Sequence, residues 1–185
     1  MLFIIDMQNK YLDEGGEDYT KGAKDLVPLA IKRIKEYEKK NHPILYTLDI
    51  EIKPGKDQEE NNNDSTTIKK GEDSSDGKTI WANRLYPPLE PYLKDHKEVK
   101  KTYYALPPKS LLEIQEAYKD KKEFLKEIEF IGVETNICVL ANAICIQSAF
   151  PDSKIIINSS ITKSRDLKNH SIALKTMKAL GMEII

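Results

Sequence analysis

Apolar positions along this chain follow two alternating rhythms. Leu2-Phe3-Ile4-Ile5 is a short unbroken apolar run that ends at Asp6, the pattern of a strand buried on both faces. From Thr20 to Lys40 the apolar residues Ala23, Val27, Ala30, Ile31, Ile34 and Tyr37 recur at helical spacing, with Lys and Glu opposite. Asn41-His42-Pro43 breaks that helix, and residues 43–48 read as a second strand ending at Asp49. Pro87-Pro88 opens a short helix, and Glu98 to Lys100 reads as a short strand. A helix over 110–124, a strand over 127–133, a helix over 136–150 and a strand over 154–158 follow. A helix over 167–180 and a last strand over 182–185 close the chain. Strands alternating with helices predict an α/β fold with a mostly parallel sheet.

Residues 51–78 break the rhythm. They hold Asn61-Asn62-Asn63-Asp64-Ser65 and almost nothing apolar, and read as a long polar loop inserted within a single domain spanning 1–185. The helix over 136–150 departs in the other sense. It is apolar on nearly all sides, more than one sheet face requires, so it is expected to be buried or to meet a second copy of the chain.

Charge excludes some partners. Lys and Arg number 29 and Asp and Glu 30, a net charge of −1, which gives no basic excess for nucleic acid and no cationic tail for a membrane. The start of the chain reads as a core strand rather than a leader. The two cysteines, Cys138 and Cys145, lie on one predicted helix and are poorly placed to pair with each other. A reducing cytoplasm is the expected compartment.

Three reactive residues fall at the carboxyl ends of predicted strands, where doubly wound α/β proteins bind ligands. Asp6 follows the first strand, Lys101 follows Val99-Lys100, and Cys138 follows Glu134-Thr135-Asn136-Ile137 at a predicted helix start. A helix start and a nearby ammonium both favour a thiolate, and a carboxylate takes its proton. Each residue also has an ordinary reading: Asp6 as a turn residue, Lys101 as a solvated lysine in competition with Lys100, and a cysteine in an apolar helix as core. Cys145, between Ile144 and Ile146, is read as core.

Gly132-Val133-Glu134-Thr135-Asn136-Ile137-Cys138-Val139 resembles the nucleophile motif of the isochorismatase-like, nicotinamidase-related cysteine hydrolases. Ile4-Ile5-Asp6-Met7-Gln8-Asn9 resembles that family's opening motif, and Val99-Lys100-Lys101-Thr102 its lysine segment, where the spacing selects Lys101. Ser159-Ser160-Ile161, Ser164-Arg165-Asp166 and His170 resemble its last strand–loop–helix. The resemblance implies a three-layer α/β/α, doubly wound, six-stranded sheet. It implies Asp6 as acid/base, Lys101 as charge partner and Cys138 as nucleophile. It also implies a cis Val133–Glu134 bond that turns the Glu134 N–H toward the substrate oxygen, with the Cys138 N–H as the second donor of an oxyanion hole.

The pattern departs from the family at two places. Members with nicotinamidase activity carry a metal-binding Asp-x-His followed by a second His, where this chain has Asp49-Ile50-Glu51. Asp49 and Glu51 are read first as loop-edge acids and second as a carboxylate-rich metal site, so no metal or other cofactor is expected. Asn142 and Cys145 stand where the family often has Thr and Asp, and read as packing or interface changes.

The expected activity is hydrolysis of an amide bond in a small-molecule carboxamide through a thioester. The alternatives are vinyl-ether hydrolysis of an isochorismate-type substrate, or a non-catalytic receiver-like signalling or binding module. The resemblance also implies a homodimer or larger assembly.

Overall fold

The computed structural model describes residues 1–50 and 74–185. Six strands form one parallel sheet: β1 Leu2–Ile5, β2 Ile44–Asp49, β3 Lys97–Lys101, β4 Glu127–Val133, β5 Lys154–Lys163 and β6 Glu183–Ile184. Their order across the sheet is β3-β2-β1-β4-β5-β6. The chain therefore winds outward one way from β1 and the other way from β4, and the switch point lies between those two strands.

The helices are α1 Asn9–Leu12, α2 Leu26–Lys39, α3 Ser74–Asn83, α4 Glu90–Leu93, α5 Pro108–Tyr118, α6 Leu140–Ala149 and α7 Leu167–Ala179. They cover both faces, because β1 alternates. Leu2 and Ile4 join Ala30 and Ile34 of α2 in one core, while Phe3 and Ile5 join Ile114, Ala143, Ile146 and Met177 of α5, α6 and α7 in the other. Phe3 stacks on Phe130 of β4 at 5.1 Å. Glu129 of β4 is fully buried and is held by Arg33, Tyr37 and Asn158.

Several boundaries move from the sequence reading. The second long helix ends at Tyr118 rather than 124, and a separate turn spans Lys122–Leu125. Strand β5 runs on to Lys163, five residues past the expected end at Asn158, because Thr162 and Lys163 re-pair with Gly132 and Val133 after a register shift. Helix α3 begins inside the stretch read as polar loop, and α1 carries too few residues for a periodic signal. The rest of the proposed insertion, 51–73, lies outside the described residues. The segment read as a helix start at Asn136 is a wide π-type turn, Thr135–Val139, that runs directly into α6.

Gly132 has a specific backbone task. Its φ is +113°, and a Cβ there would lie 2.1 Å from the Ile5 carbonyl oxygen. Any side chain would push β1 and β4 apart at the switch point.

Candidate active site

Strand alternation decides which lysine turns inward. Val99 and Lys101 face the α5–α6–α7 side of β3, and Lys101 is fully buried. Lys100 points the other way, pairs with Glu98 at 3.4 Å and keeps most of its side chain in solvent. The Lys101 stem crosses over β2 to reach the switch point.

There Lys101 Nζ lies 2.7 Å from Asp6 Oδ2, 3.5 Å from Cys138 Sγ and 3.8 Å from Asp49 Oδ1, and it donates to the Tyr103 carbonyl at 2.9 Å. Asp6 follows β1 with a positive φ of 49°, a conformation an Asp tolerates at modest cost. Its Oδ1 accepts from Thr47 Oγ1 at 2.6 Å, and its own N–H donates back to that oxygen at 3.1 Å. Oδ2 meets Lys101 as an ion pair without well-aligned hydrogen-bond geometry. The structure thus brings Asp6, Lys101 and Cys138 together as the sequence pattern anticipates. Thr47 was missed, although it shares a strand face with Asp49 at a spacing of two.

The electrostatics correct one expectation. Cys138 is buried, and burial, followed by the nearby Asp6 carboxylate, pushes its thiol well above the ordinary range; Lys101 pulls the other way and loses. The π-type turn and the interior position replace the exposed helix start that was expected to lower it. Burial also pushes the Asp6 carboxyl up, against Lys101, Thr47 and the thiol. For Lys101 burial is the largest single influence and opposes its charge, but Asp6, Cys138 and Asp49 together outweigh it and hold the ammonium up. One ammonium therefore faces two groups that each resist a negative charge alone. The arrangement favours a single negative charge and one proton shared between Asp6 and Cys138.

The Thr135–Val139 turn that carries Cys138 is tied down on three sides. The Val133–Glu134 bond is cis. The Glu134 carbonyl accepts from the Ile137 and Val139 N–H groups, each at 3.1 Å. Its side chain, 3% exposed, accepts at Oε1 from Thr20 Oγ1 (3.1 Å) and Arg165 Nε (2.6 Å), and Arg165 Nη1 reaches on to Asp18 at 2.8 Å. Asn142 of α6, read from sequence as a packing change, is a hydrogen-bond clip: its Oδ1 accepts from Leu106 N, and its Nδ2 donates to the Tyr104 and Cys138 carbonyls. Thr135 pairs with His170 Nδ1 at 2.9 Å. Cys145 lies on α6 as a free cysteine away from this cluster.

Asp49 is engaged from within the chain. Its Oδ2 accepts from Tyr11 OH at 2.7 Å and from Lys10 Nζ at 3.0 Å, and its backbone N–H donates to Gln8 Oε1 at 2.8 Å. Burial alone would raise its carboxyl; Lys101, Tyr11 and Lys10 together overcome that and hold it below the usual carboxylate range. Of the three histidines, His42 packs on aromatic rings, His96 pairs with Glu38 and His170 with Thr135, so none serves Asp49. Among the described residues no group of three or more His, Cys, Asp and Glu has metal-binding geometry; Glu51 lies outside them. The donors described here do not fit the metal site that the family pattern would place at Asp49.

Cys138, Glu134, Ile137, Tyr104 and Arg165 line a pocket of about 250 Å³. It adjoins a second, of about 300 Å³, through their common wall of Asp18, Asp49 and Tyr104. Each is suited to a small molecule. A larger cavity of about 850 Å³ opens beside Lys100 and Leu48, on the other side of the sheet, and touches none of the three reactive groups. The smaller pocket is the candidate site, because reactive atoms, not volume, define one.

A parallel sheet that brings a thiol, a carboxylate and an ammonium to its switch point has the layout of a hydrolase. The sequence comparison supplies the family: residues 1–185 match the isochorismatase domain, and the chain belongs to the isochorismatase family. Membership displaces the receiver-like reading. Solved structures of similar fold include the nicotinamidase of Staphylococcus aureus, 21% identical with a TM-score of 0.69 over 99% of this chain and 96% of that one. An isochorismatase family protein from Desulfovibrio vulgaris is 15% identical with a TM-score of 0.74, over 99% and 91%. The pyrazinamidase of Pyrococcus horikoshii, solved in complex with zinc, is 17% identical with a TM-score of 0.72, over 100% and 97%. At these identities the likeness is one of fold. No curated protein sequence matches the chain. Among the described residues no helix is long and apolar enough to cross a membrane.

Proposed function

We propose that this chain is a cysteine-dependent amidohydrolase that cleaves the C–N bond of a small-molecule carboxamide through a thioester. The observation that carries the reading is the buried contact of Lys101 Nζ with both Asp6 Oδ2 and Cys138 Sγ. Asp6 takes the Cys138 proton as the sulfur attacks the carbonyl carbon. Keeping the proton on the thiol until attack avoids a second buried negative charge in the resting site. The Glu134 and Cys138 N–H groups stabilise the oxyanion, and Arg165 and Thr20 hold the Glu134 side chain so that this peptide keeps its direction. Collapse of the tetrahedral adduct breaks the C–N bond, and Asp6 gives its proton to the leaving amine. Water then loses a proton to Asp6 and attacks the thioester. The acid leaves and Cys138 regains the proton.

An amidase screen over nicotinamide, pyrazinamide and small carboxamides tests the reaction. Cys138→Ala should abolish turnover with an unchanged circular dichroism spectrum, while Cys145→Ala keeps most of it. Equal hydrolysis by both variants would rule out the covalent route.

A further inference from the structure

Lys10 is the fourth charged side chain in contact with this cluster, and the reaction above does not use it. It sits on α1, whose first residue, Asn9, is anchored by its side chain to the Trp81 carbonyl at 2.9 Å. Gln8, just before the helix, bonds the Asp49 backbone from both ends of its amide. These clips deliver Lys10 Nζ to Asp49 Oδ2 at 3.0 Å, over the Tyr11 ring at 5.1 Å, with the side chain only 10% exposed. A lysine is seldom buried to that degree without a partner or a task. The Asp49 partnership takes one of its three N–H groups. Lys10 also lines the second pocket, which shares Asp18, Asp49 and Tyr104 as a common wall with the Cys138 pocket.

We infer that the Lys10 ammonium is the built-in cation of this site. It neutralises Asp49 where the family pattern would place a divalent metal ion, and its free N–H groups receive a hydrogen-bond acceptor of the substrate. An ion needs several oxygen or nitrogen donors converging on one point. Here the Asp49 oxygen that would be the first of them is shared by an ammonium and a phenol, and no His stands in reach. The ammonium takes over the attraction for an electron-rich group, without the Lewis acidity. The substrate class follows, resting on the amidase reading: a small carboxamide with a second acceptor, such as a carbonyl, carboxylate or ring nitrogen, away from the scissile carbon. Pocket size limits the separation to one small scaffold.

Two measurements test this. Equilibrium dialysis of chelator-treated wild-type protein against free Mn²⁺, on the order of 100 µM, should show no stoichiometric uptake, and Mn²⁺ should leave Tm unchanged. Uptake of about one equivalent would overturn the inference. On the best carboxamide from the screen, Lys10→Met should raise KM by about tenfold or more and change kcat far less, the mark of a lost charge-assisted hydrogen bond. Lys10→Arg should recover much of that loss, and a native circular dichroism spectrum excludes unfolding. An unchanged KM in Lys10→Met would also overturn it. If wild type turns over no carboxamide, the proposed reaction falls, while the Mn²⁺ measurements still decide whether Lys10 stands in for a metal.

Discussion

At Cys138, burial and charge compete, and the outcome can be read by titration. The Asp6 carboxylate is one of the forces that raises the thiol, and Lys101 is the force that lowers it. Asp6→Asn should therefore shift Cys138 ionisation to lower pH while turnover disappears, because thiolate formation becomes easier just as the proton carrier is lost. Lys101→Met should shift it to higher pH, and Lys100→Ala should leave it in place, since Lys100 is turned to solvent. Thiolate absorbance against pH in a Cys145→Ser background measures all three. Wild-type Cys138 should ionise only above the ordinary thiol range, so its unassisted alkylation near neutral pH should be slow. Coincident curves for wild type, Asp6→Asn and Lys101→Met would dissolve the proposed three-residue site.

The elements reach that geometry because polar clips fasten their ends. Strands β1 and β4 approach at Gly132, α6 rises from the Thr135–Val139 turn, and Asn142 bridges that turn to the segment after β3 through the Tyr104 carbonyl and the Leu106 N–H. A buried group left without its partner costs about 1–3 kcal/mol. Asn142→Ala is thus expected to lower Tm by roughly 3–10 °C for a chain of this size. Because that segment follows directly on Lys101, the last residue of β3, kcat should fall as well. A variant with wild-type Tm and kcat would show that the clip carries neither stability nor alignment.

For the whole molecule, the helical layer of α5, α6 and α7 leaves large apolar side chains in solvent: Leu112 at 65%, Ile144 at 40%, Leu167 at 70% and Ile172 at 50%. Single exposed residues of this kind are ordinary, but several on one layer favour association. Sedimentation equilibrium at micromolar protein should give at least twice the chain mass of 21.2 kDa. Leu112→Lys with Ile144→Lys should return it toward the monomer. A wild-type mass near that of one chain would refute a homodimer or larger assembly.

The order of strands and helices was legible in the sequence because burial imposes a period of two on strands and about 3.6 on helices. Apolar runs and periodicity marked β1, β2 and β4 close to their observed bounds and left Asp6, Lys101 and Cys138 at strand ends, whereas α2 begins at Leu26 rather than Thr20, after a separate turn at Ala23–Asp25. Strand-end positions anticipated a shared edge of the sheet but not the contacts made there. That Lys101 crosses β2 to meet Asp6, that Thr47 holds Asp6, that Arg165 grips Glu134 and that Asn142 ties two segments together all depend on pairs dozens of residues apart. The ionisation of Cys138 belongs to the same class. A helix start argued for an easily formed thiolate, but the protonation state of a group depends on its solvation and on its neighbours' charges. Lys10 shows the same limit: as a residue type it reads as a surface lysine, and only the folded chain takes it out of water and sets it on Asp49.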